Sequence, residues 1–199
     1  MILPILQYGD PILRDKGKRI EEIDDRIREL AANMIDTMHA AHGVGLAAQQ
    51  IGEALQLTVL DISAVEDDRP STLKVDGTEV DPKTAMPLVL INPEIELLGE
   101  TQIGVEGCLS FPEITGDIER AESAVVRARN LEGGTFQIEV GGFLARAIQH
   151  EHDHLNGILF IDRMHSAAKV ALSGRLRRLQ KETKHGIRHR EPLVSETTL

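Results

Sequence analysis

Residues 142–155 read Gly142-Phe-Leu-Ala-Arg-Ala-Ile-Gln-His150-Glu-His-Asp-His-Leu155. Phe143, Leu144, Ala147, Ile148 and Leu155 make the segment largely apolar at helical spacing, and Asn156-Gly157 closes it as a glycine C-cap would. Such a helix belongs in a core, and its last turn carries His150, Glu151 and His154 in with it. Buried polar groups are costly unless something compensates them. His150 and His154 stand at i and i+4, so both imidazoles share one helical face and can reach one ion. Glu151 is offset from that face, placed to reach a metal-bound water without being a ligand. A metal is the natural compensator; an exposed polar turn ending a buried helix is the plain alternative. His152 points away, to solvent or a core hydrogen bond. Asp153 is placed to orient a histidine from behind.

Upstream, Ile27, Leu30, Ala31, Met34, Ile35 and Met38 recur at helical spacing over residues 24–41, with Asp24 as the cap, and predict an amphipathic helix ending near His42-Gly43. Gly43 to Gly52 reads as a glycine- and alanine-rich loop. Short β-branched runs predict strands at 57–60, 88–91, 95–98, 105–109, 124–128 and 135–140. Residues 64–87 are polar and read as a surface excursion, with a small hairpin around Asp76-Gly77. A last helix is expected over about 166–184, followed after Gly186 by a polar, frayed tail over 187–199. Strands first, with helices segregated, predict one α+β domain over 1–186, its strands surrounding the helix that carries the histidine pair, plus N- and C-terminal helices.

Two histidines leave a catalytic site one protein ligand short. The next glutamate after His154 is Glu182, deep in the terminal helix, so a thermolysin-like third ligand reads poorly. Cys108, the one cysteine of the chain, lies in Glu106-Gly-Cys-Leu-Ser110 and is the better candidate, held as thiolate by a metal. A zinc peptidase with a different third ligand and a binding protein with a structural metal both stay open on these residues.

The bulk numbers narrow the setting. The chain has 199 residues, enough to bury a core, with 22 Lys and Arg against 32 Asp and Glu for a formal charge of -10. That balance argues against general nucleic-acid binding. The start has no basic leader and meets Pro4 and Pro11 at once, and no apolar run approaches the roughly 20 residues that span a bilayer. A lone cysteine forms no internal disulfide, so a reducing cytoplasm is the expected home.

Three segments, in chain order, then carry a resemblance: Gly43-Val-Gly-Leu-Ala-Ala-Gln-Gln50, Glu106-Gly-Cys-Leu-Ser110 and Gln149-His-Glu-His-Asp-His-Leu155. They resemble the three signature motifs of bacterial peptide deformylases. Pro4-Ile-Leu-Gln-Tyr-Gly-Asp-Pro-Ile-Leu-Arg14 and Gly157-Ile-Leu-Phe-Ile-Asp-Arg163 are similar to that family as well, so the likeness spans about 1–184 apart from 64–87. It implies hydrolytic removal of formate from the N-formylmethionine of nascent polypeptides. It implies one divalent ion on Cys108, His150 and His154, with Fe2+ as the physiological metal and Zn2+, Ni2+ or Co2+ in isolated protein. Glu151 is then the general acid/base for a metal-activated water, and Gln50 with the Leu109 backbone N–H stabilises the oxyanion. Gly43, Val44 and Gly45 are expected to approach the peptide substrate, and Glu106 to pair with Arg120 in support of the metal-binding segment. Arg146 stays open between the substrate groove and solvent. Family members act near the ribosomal exit tunnel, and Arg175, Arg177, Arg178, Lys181 and Lys184 on the terminal helix offer a basic face for that contact. Two departures stand out. Residues 64–87 form a longer link than usual, and an arginine that some relatives carry near Thr115 is missing.

Overall fold

The periodic run of residues 24–41 forms helix α1 (Asp25–Ala40), opened by Asp24, whose carboxylate accepts the Ile27 N–H at 2.9 Å. Its buried face, Ile27, Ala31, Met34 and Met38, packs with Leu46, Leu57, Val59 and Ile91 of the sheet. These features come from a computed structural model that describes residues 1–66 and 69–190, with side chains described as far as 187. Seven strands form one antiparallel sheet: β1 (Gly45–Ala47), β2 (Leu57–Leu60), β3 (Ser71–Val75), β4 (Thr78–Glu79), β5 (Leu88–Cys108), β6 (Phe111–Arg129) and β7 (Thr135–Gly141). Their spatial order is β1-β2-β5-β6-β7-β3-β4.

Helix α2 (Gly142–Leu155) carries the histidine pair and packs against β1, β2, β3, β6 and β7. Leu144, Ala145, Ala147 and Ile148 lie in a core cluster with Leu60, Leu73, Leu90, Val126 and Val140. Three helices follow: α3 (Phe160–Arg163), α4 (Ser166–Ala171) and α5 (Ser173–Arg190). The architecture is the expected single α+β domain, with helices kept apart from a run of strands.

Several boundaries differ from the sequence reading, each for a nonlocal reason. The runs 88–91, 95–98 and 105–109 are not separate strands. All but Leu109, which falls in the following turn, belong to β5, whose pairing with β6 shifts register at Ile91/Glu94, Leu98/Thr101 and Gly107/Cys108. Residues 111–123, which show no clean alternation, extend β6 because residues 98–108 of β5 template them. The glycine-rich loop contains β1, which pairs with β2 from Gly45↔Leu60 to Ala47↔Thr58. The terminal helix breaks between α4 and α5, and α5 continues past Gly186 to Arg190; residues 191–199 of the expected tail lie outside the described residues.

The 64–87 segment is more than surface decoration. Asp76 and Gly77, at φ 48 and 83, make the tight turn of a β3–β4 hairpin. β3 then pairs with β7 from Thr72↔Gly141 to Val75↔Ile138 and covers that strand's outer edge. Just before it, the Pro70 carbonyl accepts the Phe143 N–H at 3.1 Å and the Ser71 hydroxyl accepts the Leu144 N–H at 3.0 Å. The excursion therefore caps the N-terminus of the histidine helix, satisfying donors that a helix start leaves unpaired.

Candidate metal centre and substrate groove

Cys108 and the helix histidines come together because β5 and β6 form one long hairpin. Cys108 pairs with Phe111, which leaves Leu109 and Ser110 as the two-residue turn. The hairpin end thus lays Cys108 against the last turns of α2. Cys108 Sγ lies 3.2 Å from His154 Nε2, the His150 and His154 rings are 5.1 Å apart, and one ligand atom from each of the three residues lies within 4.8 Å of the others. The sulfur and two imidazole nitrogens suit zinc, ferrous iron and related divalent ions. The chemistry of the donor set therefore fits a metal.

His150 donates through Nδ1 to Glu106 Oε2 at 2.9 Å, leaving Nε2 to face Cys108 and His154. Burial works against a charge on His150, yet its contacts with Cys108 and Glu106 carry its pKa well above the usual range. His154 goes the other way: burial, then the neighbouring His150 and Arg120, push its pKa well below the usual value, so it is neutral and able to ligate. Phe160 stands 6.1 Å from the His150 ring and Phe111 meets Phe160 edge-on at 5.0 Å, walling the site on that side.

Glu106 is the hub of a buried charged network. Arg120 donates to both its oxygens, through Nε at 2.9 Å and Nη2 at 3.0 Å, and Arg146 Nη1 adds a third guanidinium bond at 2.9 Å. Burial alone would raise the Glu106 pKa, but His150 and Arg120 hold it at about 2. Asp153 does not orient a histidine directly. It pairs with Arg120, and with Arg163 at 2.6 Å, because its place next to His154, about 100° round the helix, turns it towards β6 and α3 instead of the metal face. The resulting chain runs Asp153, Arg120, Glu106, His150. Arg146 does not reach solvent freely: besides Glu106 it bonds the carbonyls of Ile118 and Gln102. His152 is half-buried beside Asn156, at 3.4 Å.

Glu151 is buried beside His150, and its Oε2 has no hydrogen-bond partner among the described residues. Burial raises its pKa to about 7, aided by Glu106 and opposed by His150 and Arg120. A carboxyl poised there can both take and return a proton near neutrality. Gln50 is fixed in orientation: its Oε1 accepts the Ala47 N–H at 2.9 Å, so Nε2 must face the hairpin end, where it meets Ser110 Oγ at 3.2 Å and Cys108 Sγ at 3.6 Å. Ser110 had no sequence signal beyond its neighbourhood to Cys108, since the contact exists only where the helical turn Ala48–Ile51 meets the hairpin end.

Gln50, Cys108, His150 and Glu151 line one side of a groove of about 490 Å³, whose walls include Gly43, Val44, Gly45, Leu109, Phe143 and Arg146. Gly45 is required by the site itself. A Cβ there would collide with the Glu151 carboxylate, so the missing side chain makes room for Glu151 as well as for any bound peptide.

The chain has clear relatives among known proteins. The polypeptide deformylase family model matches residues 2–170. A peptide deformylase of Opitutus terrae is 44% identical over 186 residues, covering 92% of this chain and 96% of the relative. One from Methylacidiphilum infernorum is 43% identical over 181 residues, covering 91% and 94%. Among solved structures, a plant peptide deformylase superposes with a TM-score of 0.80 at 35% identity, covering 92% of each chain. The Thermus thermophilus enzyme gives 0.76 at 36% identity, covering 92% of this chain and 99% of its own. With the family model covering most of its length and relatives this similar, the chain belongs to the polypeptide deformylase family.

Proposed function

We propose that this enzyme removes the formyl group from nascent polypeptides at a single metal centre held by Cys108, His150 and His154, with Glu151 as general acid/base. Deformylation is the activity of its family, and the family is metal-dependent. The observation that carries the assignment of residues is the convergence of three ligand atoms within 4.8 Å, with Cys108 and His150 on the groove wall, beside a buried Glu151 whose Oε2 has no partner among the described residues.

When bound, a divalent ion supplies Lewis acidity and lowers the pKa of water at the site. The chain's own groups supply the rest. Glu151 accepts a proton from water as the formyl carbon is attacked, then returns it to the departing peptide nitrogen, leaving formate and a free methionyl amine. The Gln50 amide and the Leu109 N–H are the donors for negative charge on the formyl oxygen, each such donor typically contributing about 3 kcal/mol at the barrier. Glu106, clamped by Arg120 and Arg146, holds the His150 ring in position. Gly43, Val44 and Gly45 offer backbone along the groove for an extended peptide.

Fe2+ is the proposed physiological ion and the cytoplasm the proposed setting; among the described residues no helix is long and apolar enough to cross a membrane. The exposed basic residues of α5 are the proposed ribosome contact. Arg178 already pairs with Glu182 at 2.8 Å, and Arg175 bonds the Glu113 carbonyl, leaving Arg177, Lys181 and Lys184 as the groups to reverse in a ribosome co-sedimentation assay. The decisive test of the chemistry is formate release from N-formyl-Met-Ala-Ser by anaerobic, iron-loaded protein and by Glu151→Ala. Turnover lost with metal retained supports the role of Glu151. Turnover retained removes it.

A further inference from the structure

Residues 64–87 join β2 to β5, and one residue of that excursion reaches the substrate groove. Arg69 lines the groove, with its guanidinium carbon 5.3 Å from the centroid of the Phe143 ring, which lines it too. The mount is firm. Pro70 and Ser71, the next two residues, are hydrogen-bonded to the N-terminal turn of α2 through the Phe143 and Leu144 N–H groups. Arg69 is thereby held in a set position relative to the helix that carries His150 and His154.

The groove has two guanidinium groups on its wall, and they differ in availability. Arg146 is consumed by Glu106 and by the carbonyls of Ile118 and Gln102. Arg69 is exposed, and among the described residues no carboxylate pairs with it. Its side chain rests on the Phe143 face, a platform that restrains it while leaving its hydrogen-bond donors free.

Its place along the groove sets which part of a substrate it can meet. Phe143 precedes His150 by two helical turns, about 10 Å along the axis. An extended peptide covers that in about three residues at roughly 3.3–3.6 Å each. With the formyl group at the metal centre, the side chains near Arg69 belong to the second and third residues. We infer that Arg69 makes this enzyme favour formylated peptides with Asp or Glu at the second or third position. This inference rests on the deformylase reading above and adds a substrate preference to it.

The test uses the full-length, metal-loaded enzyme and C-terminally amidated peptides, so that no terminal carboxylate mimics an acidic side chain. kcat/KM is measured for N-formyl-Met-Ala-Ser and for versions with Asp or Lys at position two or three, and each is expressed relative to the neutral peptide with the same enzyme. Wild type is expected to favour the Asp over the Lys versions by up to about fivefold, the size a partly exposed ion pair allows, and less at high salt. R69A should flatten the ratio and R69E should invert it. Equal Asp-to-Lys ratios in wild type, R69A and R69E would overturn the inference while leaving deformylation intact. No formate from the neutral peptide with fully metallated wild type would overturn the deformylase reading, and this preference with it.

Discussion

Glu106 shows how much one carboxylate can organise. It accepts from Arg120 twice, from Arg146 and from His150, and all but Arg146 are nine-tenths or more buried. Removing one partner of such a buried pair leaves an uncompensated charge. Arg120→Ala is therefore expected to destabilise the protein by about 3–5 kcal/mol in urea unfolding. Exchanging the two charges is not expected to restore it. An arginine at position 106 would face Arg146 and His150, and a glutamate at position 120 would face Asp153. A double variant Glu106→Arg/Arg120→Glu as stable as wild type would show that the pair is isolated from its neighbours. The histidine pair of the candidate metal site was legible in sequence, because i and i+4 histidines with an adjacent glutamate restrict the chemistry so strongly. The partners of Asp153 and Arg146 were not, since either side chain could reach several neighbours until β6 was placed beside α2.

At the scale of elements, the 71–79 hairpin and α3 both act by satisfying the ends of helices. Ser71 accepts the Leu144 N–H, so Ser71→Ala should cost about 1 kcal/mol in chemical unfolding. A variant with no loss would mean that water replaces the hydroxyl without penalty. Asp162 accepts the Leu159 N–H at the start of α3 and pairs with Arg14. Burial raises its pKa, but the bonds from Arg14 and Leu159 and the nearby Lys169 outweigh this and leave it below its ordinary 3.8. A lowered folded pKa means the stabilisation is full above the unfolded value and fades as pH falls through the folded one. Asp162→Ala should thus cost about 1 kcal/mol or less at neutral pH, discounted because the pair is open to solvent, and progressively less below pH 3.8. A difference independent of pH would assign the effect to packing instead. Strand lengths were the weakest part of the sequence reading. Polar stretches within β5 and β6 look like loops locally, and only the pairing of the two strands keeps them extended.

For the molecule as a whole, α2 is enclosed by strands from several parts of the chain, so metal binding and folding draw on the same contacts. A ligand that binds only the native state stabilises it by mass action. Chelation should lower the thermal midpoint of the wild type by roughly 5–15 °C, and should leave Cys108→Ala, with its ligand set broken, little changed. Equal shifts in both proteins would remove Cys108 from the metal site. The sequence by itself determined the α+β class and the helix bearing His150, Glu151 and His154, because helical periodicity and ligand spacing are local properties of the chain; Cys108 became a candidate as the one cysteine, and Gln50 only through the resemblance its segment carries. Tertiary structure alone decided that Cys108 meets His154, that Arg146 joins the expected Arg120 on Glu106, and that the excursion caps α2 and delivers Arg69 to the groove. Those outcomes depend on strand register and on contacts between residues 40 to 73 positions apart, which no local pattern encodes.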